Sequence, residues 1–181
     1  MGQPTDAELL AAHRAGDAEA FGRLVGRHTD RMWGVAVRTL GHRDDAADAV
    51  QEALLAALRG AGSFRGEASV RTWLNRIVVN TCIDRMRHER VRPTVPLPPW
   101  ELPDRGADPA TRLATRMEVT DALALLPPEQ RLAVVLVDME GWALSEVAEA
   151  TEAPVGTVKS RCARGRARLA VLLGHLREEV R

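Results

Sequence analysis

Between Pro154 and Arg177 the chain carries six basic side chains (Lys159, Arg161, Arg164, Arg166, Arg168 and Arg177) and no acidic one. The stretch before it, Arg116 to Ala153, has two basic residues against eight acidic ones. Guanidinium and ammonium groups gathered on one segment suit phosphate binding. The whole chain has a formal net charge of zero, so any affinity for nucleic acid must come from a local patch of this kind. Drawn as a helix at about 100° per residue, the segment sorts its side chains. Val158, Cys162, Gly165, Leu169 and Leu173 share one side, the face a core would take. Gly156, Ser160, Ala163, Arg164 and Ala167 share the other and are mostly small. Lys159 and Arg166 flank one edge of that face, and Arg161 and Arg168 the other. Small residues let a helix sink into a DNA major groove, and basic shoulders can reach both phosphate backbones.

Such a helix must be presented by a neighbour. Leu144 to about Ala150 reads as a short amphipathic helix, with Leu144, Val147 and Ala148 on its apolar side. A break follows at Glu152-Ala153-Pro154, and the basic helix starts near Val155. Helix, tight turn and helix at this spacing is the layout of a helix-turn-helix. The coincidence of turn, small face and basic shoulders favours DNA over a merely solvated basic helix.

Composition sets the remaining bounds. Aromatic residues are scarce (Phe21, Phe64, Trp33, Trp73, Trp100 and Trp142, with no Tyr), so cores must be built from Ala, Leu and Val. Few segments alternate with period two, and the expected class is all-α. Cys82 and Cys162 both fall on or near apolar faces and are expected as buried free thiols. The sequence shows no nucleophile–base pair, phosphate loop or Cys/His cluster at metal spacing, so no catalytic residue, metal or cofactor is expected. The opening MGQPTDAELL lacks a basic segment followed by an apolar one, and the longest apolar run, Leu132 to Val137, is too short for a bilayer. A cytoplasmic location without membrane insertion follows as the expectation.

In chain order, Thr5 or Asp6 can cap a first helix anchored by Leu9 and Leu10. Asp17 caps a second, Ala18 to Leu40, with Phe21, Leu24, Val25, His28, Met32 and Val35 at helical spacing and His28 on its flank; Gly41 stops it. A third helix, Asp44 to Gly60, has Ala47, Val50, Ala53, Leu54 and Ala57 as its core face. Asp48, Gln51 and Leu55 share another face, with Glu52 beside them. An apolar Leu55 among acids fits either a protein-binding surface or a solvated acidic face. After the loop Ser63–Glu67, a fourth helix runs to Arg90 and is basic. It places Trp73, Ile77, Asn80 and Asp84 on one face, with Arg76 and Arg87 beside them; Trp73 is expected in the core. Prolines from 93 to 109 then exclude regular structure. The expected organisation is therefore a helical domain over 1–91, a Pro-rich linker over 92–110 and a second helical domain over 111–181. In the second domain one helix runs from near Ala110 to Leu126 with Leu113, Met117, Thr120, Leu123, Ala124 and Leu126 inward. Pro127-Pro128 opens another that ends near Glu140 and is built on Leu132, Val135, Leu136 and Met139.

Five motifs in order, DAVQEAL, SFRG, TWLNRIVVN, LPPEQR and VGTVKSR, make the chain resemble an extracytoplasmic-function sigma factor of the bacterial sigma-70 family. Region 2 would run from about Asp17 to Arg90 and region 4 from about Asp121 to Leu173. The resemblance implies partners: the RNA polymerase core through its β′ clamp helices and β flap, promoter DNA, and an anti-sigma factor. It implies that Asp48, Gln51, Glu52 and Leu55 bind the clamp helices. Phe64, Arg65 and Asn80, with Arg76 and Arg87, would serve recognition and melting of the −10 element, where the family captures a flipped base. Lys159, Ser160, Ala163 and Arg164 would lie near −35 bases, and Arg161, Arg166 and Arg168 on phosphates. Two residues depart from the family pattern. Glu152 stands in the turn where a small residue is usual, and Gly165 stands where Ala is common, at a cost of about 1 kcal/mol in helix propensity. The residues alone also fit a stand-alone helix-turn-helix regulator with an N-terminal helical sensing domain, which would leave the basic fourth helix unexplained.

Overall fold

The computed structural model describes residues 3–91 and 109–174. Trp100 and nearly all of the expected linker lie outside them, as does Arg177. The described residues are helical and form no strand. They fall into two compact units, one holding residues 3–37 and 42–85 and the other residues 38–41 and 86 onward. No helix among the described residues is long and apolar enough to cross a membrane.

In the first unit, α1 (Asp6–Arg14) is opened by Thr5. Its hydroxyl accepts from the Glu8 backbone N–H, and the Glu8 carboxylate reaches back to the Thr5 N–H at 2.6 Å. This reciprocal cap satisfies donors that a helix start otherwise leaves to water. Asp17 does the same for α2 (Ala18–Leu40), accepting from the N–H groups of Glu19 and Ala20 at 2.9 and 3.1 Å. Gly41 follows with φ of 80°, a left-handed conformation that suits glycine at a helix end. The third helix, α3, spans Arg43–Gly60 and runs into a 3-10 turn at Ala61–Ser63; α4 spans Val70–Val91. Ser69 opens α4, its hydroxyl accepting from the Thr72 N–H at 3.1 Å.

The core joins Leu9 and Leu10 to Phe21, Leu24, Met32 and Val35 of α2, the alanines of α3, and Leu74, Val78, Val79, Cys82 and Ile83 of α4. Two sequence expectations need correction. On α3 the buried set is Ala46, Ala49, Val50, Ala53 and Ala57, while Ala47 and Leu54 are only half-buried, so the helix is rolled from the expected face. The apolar arc of an alanine-rich helix is wide, and neighbours choose the part they cover. His28 is not on a flank. It is buried, because Asp6 supplies a partner: His28 Nε2 and Asp6 Oδ2 are 2.7 Å apart.

In the second unit, α5 spans Pro109–Ala124 and α6 Pro128–Val134. The expected single helix to Glu140 instead widens to π geometry over Val135–Met139. There the Glu140 N–H donates to the Val135 carbonyl at 3.0 Å and the Trp142 N–H to the Leu136 carbonyl at 2.9 Å. The inserted turn rotates Met139 outward, against expectation. Leu123 and Leu126 are buried as expected, whereas Met117 and Ala124 are exposed, because the buried side of α5 takes in Ala122 instead; the Leu113 side chain lies outside the described ones. Then come α7 (Leu144–Thr151) and α8 (Val155–Leu172), which packs on α6 and α7.

Gly165 is what lets α8 lie against α6. A Cβ there would sit 2.6 Å from Val134 Cγ2 and 3.2 Å from the Gln130 carbonyl oxygen. The apparent cost in helix propensity is thus offset by close packing.

Two outcomes follow for stability. Gly165→Ala gains about 1 kcal/mol of helix propensity but overpacks the contact by about 1–3 kcal/mol. The expected net result is a lower thermal midpoint by circular dichroism; an unchanged or higher midpoint would show that α8 can lift without loss. For Asp6, burial pushes the carboxyl up, but the hydrogen bonds from His28 and Arg27 outweigh it and hold the pKa below the ordinary 3.8. The unfolded chain therefore takes up this proton first as pH falls. The stability that Asp6 contributes is complete above the ordinary carboxylate value and is lost as pH drops through the depressed one. In Asp6→Asn, urea midpoints measured between about pH 6 and about pH 3 should decline less steeply than in the parent.

Candidate nucleic-acid interface

The helix-turn-helix is present, with its turn at residues 152–154. Glu152 adopts φ 51° and ψ 37°, the left-handed conformation that explains why a small residue is usual there. The Ala153 N–H closes on the Ala148 carbonyl at 3.0 Å, and Pro154 offers its carbonyl to the N–H groups of Thr157 and Val158. Pro154 precedes the helix, where a missing N–H costs nothing. Val158, Cys162 and Gly165 face inward, as their spacing predicts.

The outward side is less uniform than the wheel suggests. Lys159, Ala163, Arg164 and Arg168 are exposed. Ser160 is half-buried; its hydroxyl donates to the Thr157 carbonyl at 2.9 Å and accepts from Arg164 Nη2 at 3.2 Å. Arg164 is thereby steered along the helix. Arg161 and Arg166 have acidic partners within their own unit. The Arg161 side chain is only 19 % exposed and pairs with Glu129 at 2.9 Å. Arg166 holds Asp138 through two parallel hydrogen bonds of 2.9 and 2.7 Å. Asp138 lies in the π-helical turn. The outward positive potential of α8 therefore comes chiefly from Lys159, Arg164 and Arg168. Burial raises the Cys162 thiol and pushes the Cys82 thiol up to about 12, so neither carries thiolate chemistry at neutral pH.

On α3, Asp48, Gln51, Glu52 and Leu55 are all exposed, and Leu55 remains 56 % accessible. Leu58, one turn on and 44 % accessible, extends the apolar strip; its i, i+3 spacing from Leu55 was the available signal. The sequence reading also missed Arg85 of α4. Its side chain, 21 % exposed, bridges Glu52 at 2.6 Å and Asp48 at 3.1 Å, so it orders both acids without covering them.

The third group surrounds the loop after α3. Phe64 is half-buried with its ring tilted on Trp73, centroids 5.1 Å apart. Trp73 is itself half-buried at the start of the α4 face that continues to Ile77 and Asn80, rather than sealed in the core. Arg65, Arg76 and Asn80 are exposed, and Arg87, near the end of α4, is half-buried. Arg14 also belongs here: it donates from Nε to the Ala61 carbonyl at 2.8 Å and from Nη2 to the Phe64 carbonyl. Nothing in its local sequence signals that.

Two helical units, the first with an acidic–apolar strip and the second with a basic helix-turn-helix, define the class. Residues 24–92 match the family model for sigma-70 region 2, and residues 116–169 that for sigma-70 region 4. The chain belongs to the ECF RNA polymerase sigma factors, which are transcription initiation factors. It is similar to the ECF sigma factor SigM of Mycobacterium tuberculosis, 51 % identical over 173 residues that cover 95 % of this chain and 86 % of that one. It is also similar to the ECF sigma-E factor of Haemophilus influenzae, 35 % identical over 91 % of this chain and 93 % of its relative. Among solved structures, CnrH in complex with the cytosolic domain of CnrY is 30 % identical with a TM-score of 0.54, covering 94 % of this chain and 97 % of that one. The sigma factor RpoE of Bartonella quintana, in complex with the anti-sigma factor NepR, shares the fold at 23 % identity and a TM-score of 0.59, over 87 % of this chain and 98 % of that one.

Proposed function

We propose that the two units divide promoter recognition between them. In this reading, α8 enters the major groove of the −35 element with Lys159, Ser160, Ala163 and Arg164 toward bases and Arg168 on phosphate. Arg161 and Arg166 reach phosphate with the N–H groups that Glu129 and Asp138 leave over, or by exchanging those acids for it. The loop carrying Phe64 and Arg65, with Asn80, Arg76 and Arg87 of α4, takes the −10 element. The strip Asp48, Gln51, Glu52 and Leu55, extended by Leu58, docks on the β′ clamp helices, and the second unit meets the β flap. The domains are 1–91 and 111–181, joined by a Pro-rich linker at 92–110. The protein acts in the cytoplasm, with no chemistry of its own, and an anti-sigma factor holds it inactive, a partner of the kind that NepR is to RpoE of Bartonella quintana, which shares the fold.

The observation that carries this reading is the exposure of two surfaces of opposite character: an ordered acidic strip with an apolar centre on α3, and an outward-facing cationic set on α8. The purified chain with core polymerase should initiate at a discrete set of promoters, read by sequencing transcript starts. Strong binding to a palindromic operator without polymerase would instead mean a stand-alone regulator. Asp48→Lys with Glu52→Lys should weaken core binding, since like charges replace opposite ones at a desolvating contact; unchanged affinity removes α3 as the interface. Arg164→Ala should cost about 1–3 kcal/mol at one upstream base pair if its fork reads a base. An equal loss on every sequence would make it a phosphate contact.

A further inference from the structure

Arg14 ends α1, well before the loop that follows α3 in sequence, yet its guanidinium closes on that loop from two directions. Nε donates to the Ala61 carbonyl at 2.8 Å, and Nη2 donates to the Phe64 carbonyl. The guanidinium carbon stands 6.0 Å from the centroid of the Phe64 ring, whose tilted contact with Trp73 lies at 5.1 Å. Ser63 tightens the same segment, its hydroxyl donating to the Gly60 carbonyl at 2.9 Å. One side chain therefore ties both ends of the turn that aims Phe64. Only a planar fork with several donors can satisfy two carbonyls at fixed separation while lying near a ring; an ammonium cannot reproduce it.

We infer that Arg14 is a positioning residue for promoter melting: a guanidinium clasp that holds the 61–64 turn in the shape needed to receive an unstacked base. The inference rests on the proposed −10 role of Phe64. Unstacking and unpairing a base already costs a few kcal/mol. A loop that also had to order itself on binding would add to that cost, and a loop held beforehand does not. Arg14 touches no DNA in this account. It acts through the two carbonyls and the Phe64 ring.

The test uses full-length chain bound to core polymerase. The probe is a single-stranded oligonucleotide spanning the −10 element of a mapped promoter, compared with versions made abasic at each position in turn, with affinity read by fluorescence anisotropy. The parent should show a marked preference for a base over an abasic site at one position. In Arg14→Met that preference should fall about tenfold, because the receiving loop loses its preorganisation. Affinity for the abasic strand and for core polymerase should stay unchanged, and Arg14→Lys should fall between. Phe64→Ala separates the two ideas. If Phe64→Ala keeps the full preference, the −10 reading of this loop is wrong. If Phe64→Ala loses it but Arg14→Met keeps it, the clasp is wrong while the −10 reading stands. A loss by Arg14→Met on natural and abasic strands alike would reduce Arg14 to a general stabiliser and also overturn the clasp. Should Arg14→Met fail to fold, Arg14→Lys decides: a partial loss at the one position supports the clasp, and parental preference overturns it.

Discussion

Helices in both units meet across small side chains, and that close approach sets much of the rest. In the first unit Ala20 and Ala36 of α2 and Ala46, Ala49, Ala53 and Ala57 of α3 are completely buried. In the second, Gly165 brings the backbone of α8 down onto α6 with no room for a methyl group. Dispersion falls off steeply with separation, so backbones brought close by small residues gain contacts along their whole length. This lets a chain with six aromatic residues build its cores without large rings. It also fixes the roll of each helix, and with it the side chains left facing outward.

The outward faces are ordered by ion pairs that a balanced composition makes possible. Arg85 lies between Asp48 and Glu52, Arg166 grips Asp138, and Arg161 is packed against Glu129. Pairs whose carboxylates remain open to solvent contribute little to stability. Their effect is on geometry and local potential. On α3 the two acids are held in one arrangement beside an exposed Leu55, which lowers the ordering cost of docking. On α8 two of the arginines are occupied within their own unit, which concentrates the outward positive potential on Lys159, Arg164 and Arg168. A promoter-binding protein with no net charge gains from such sorting, since its attraction to DNA is then confined to particular surfaces.

Local irregularities have identifiable work within this arrangement. The π-helical turn at Val135–Met139 carries Asp138, which Arg166 meets. Glu152 accepts a left-handed conformation at the turn of the helix-turn-helix, where a small residue is usual, and so stores a modest strain. Neither changes the fold, and both act on how α8 is presented.

The sequence by itself determined the helices and much of their limits. Thr5 and Asp17 cap, Gly41 follows the end of α2, Pro154 precedes α8, and apolar residues recur at helical spacing. These signals act within a few residues, so a linear reading can recover them. The inward set Val158, Cys162 and Gly165 was legible for the same reason, as was family membership through five ordered motifs. The tertiary structure alone decided which residues each arginine serves. The partners of Arg166 and Arg85 lie 28 to 37 residues away, and those of Arg14 lie 47 and 50 away. It also decided that His28 is buried with Asp6, that α3 is rolled toward Ala46 and Ala49, and that Met139 turns outward. Each of these depends on which of several near-equivalent faces a neighbouring helix covers. That choice is made by packing between distant segments, about which a helical period carries no information.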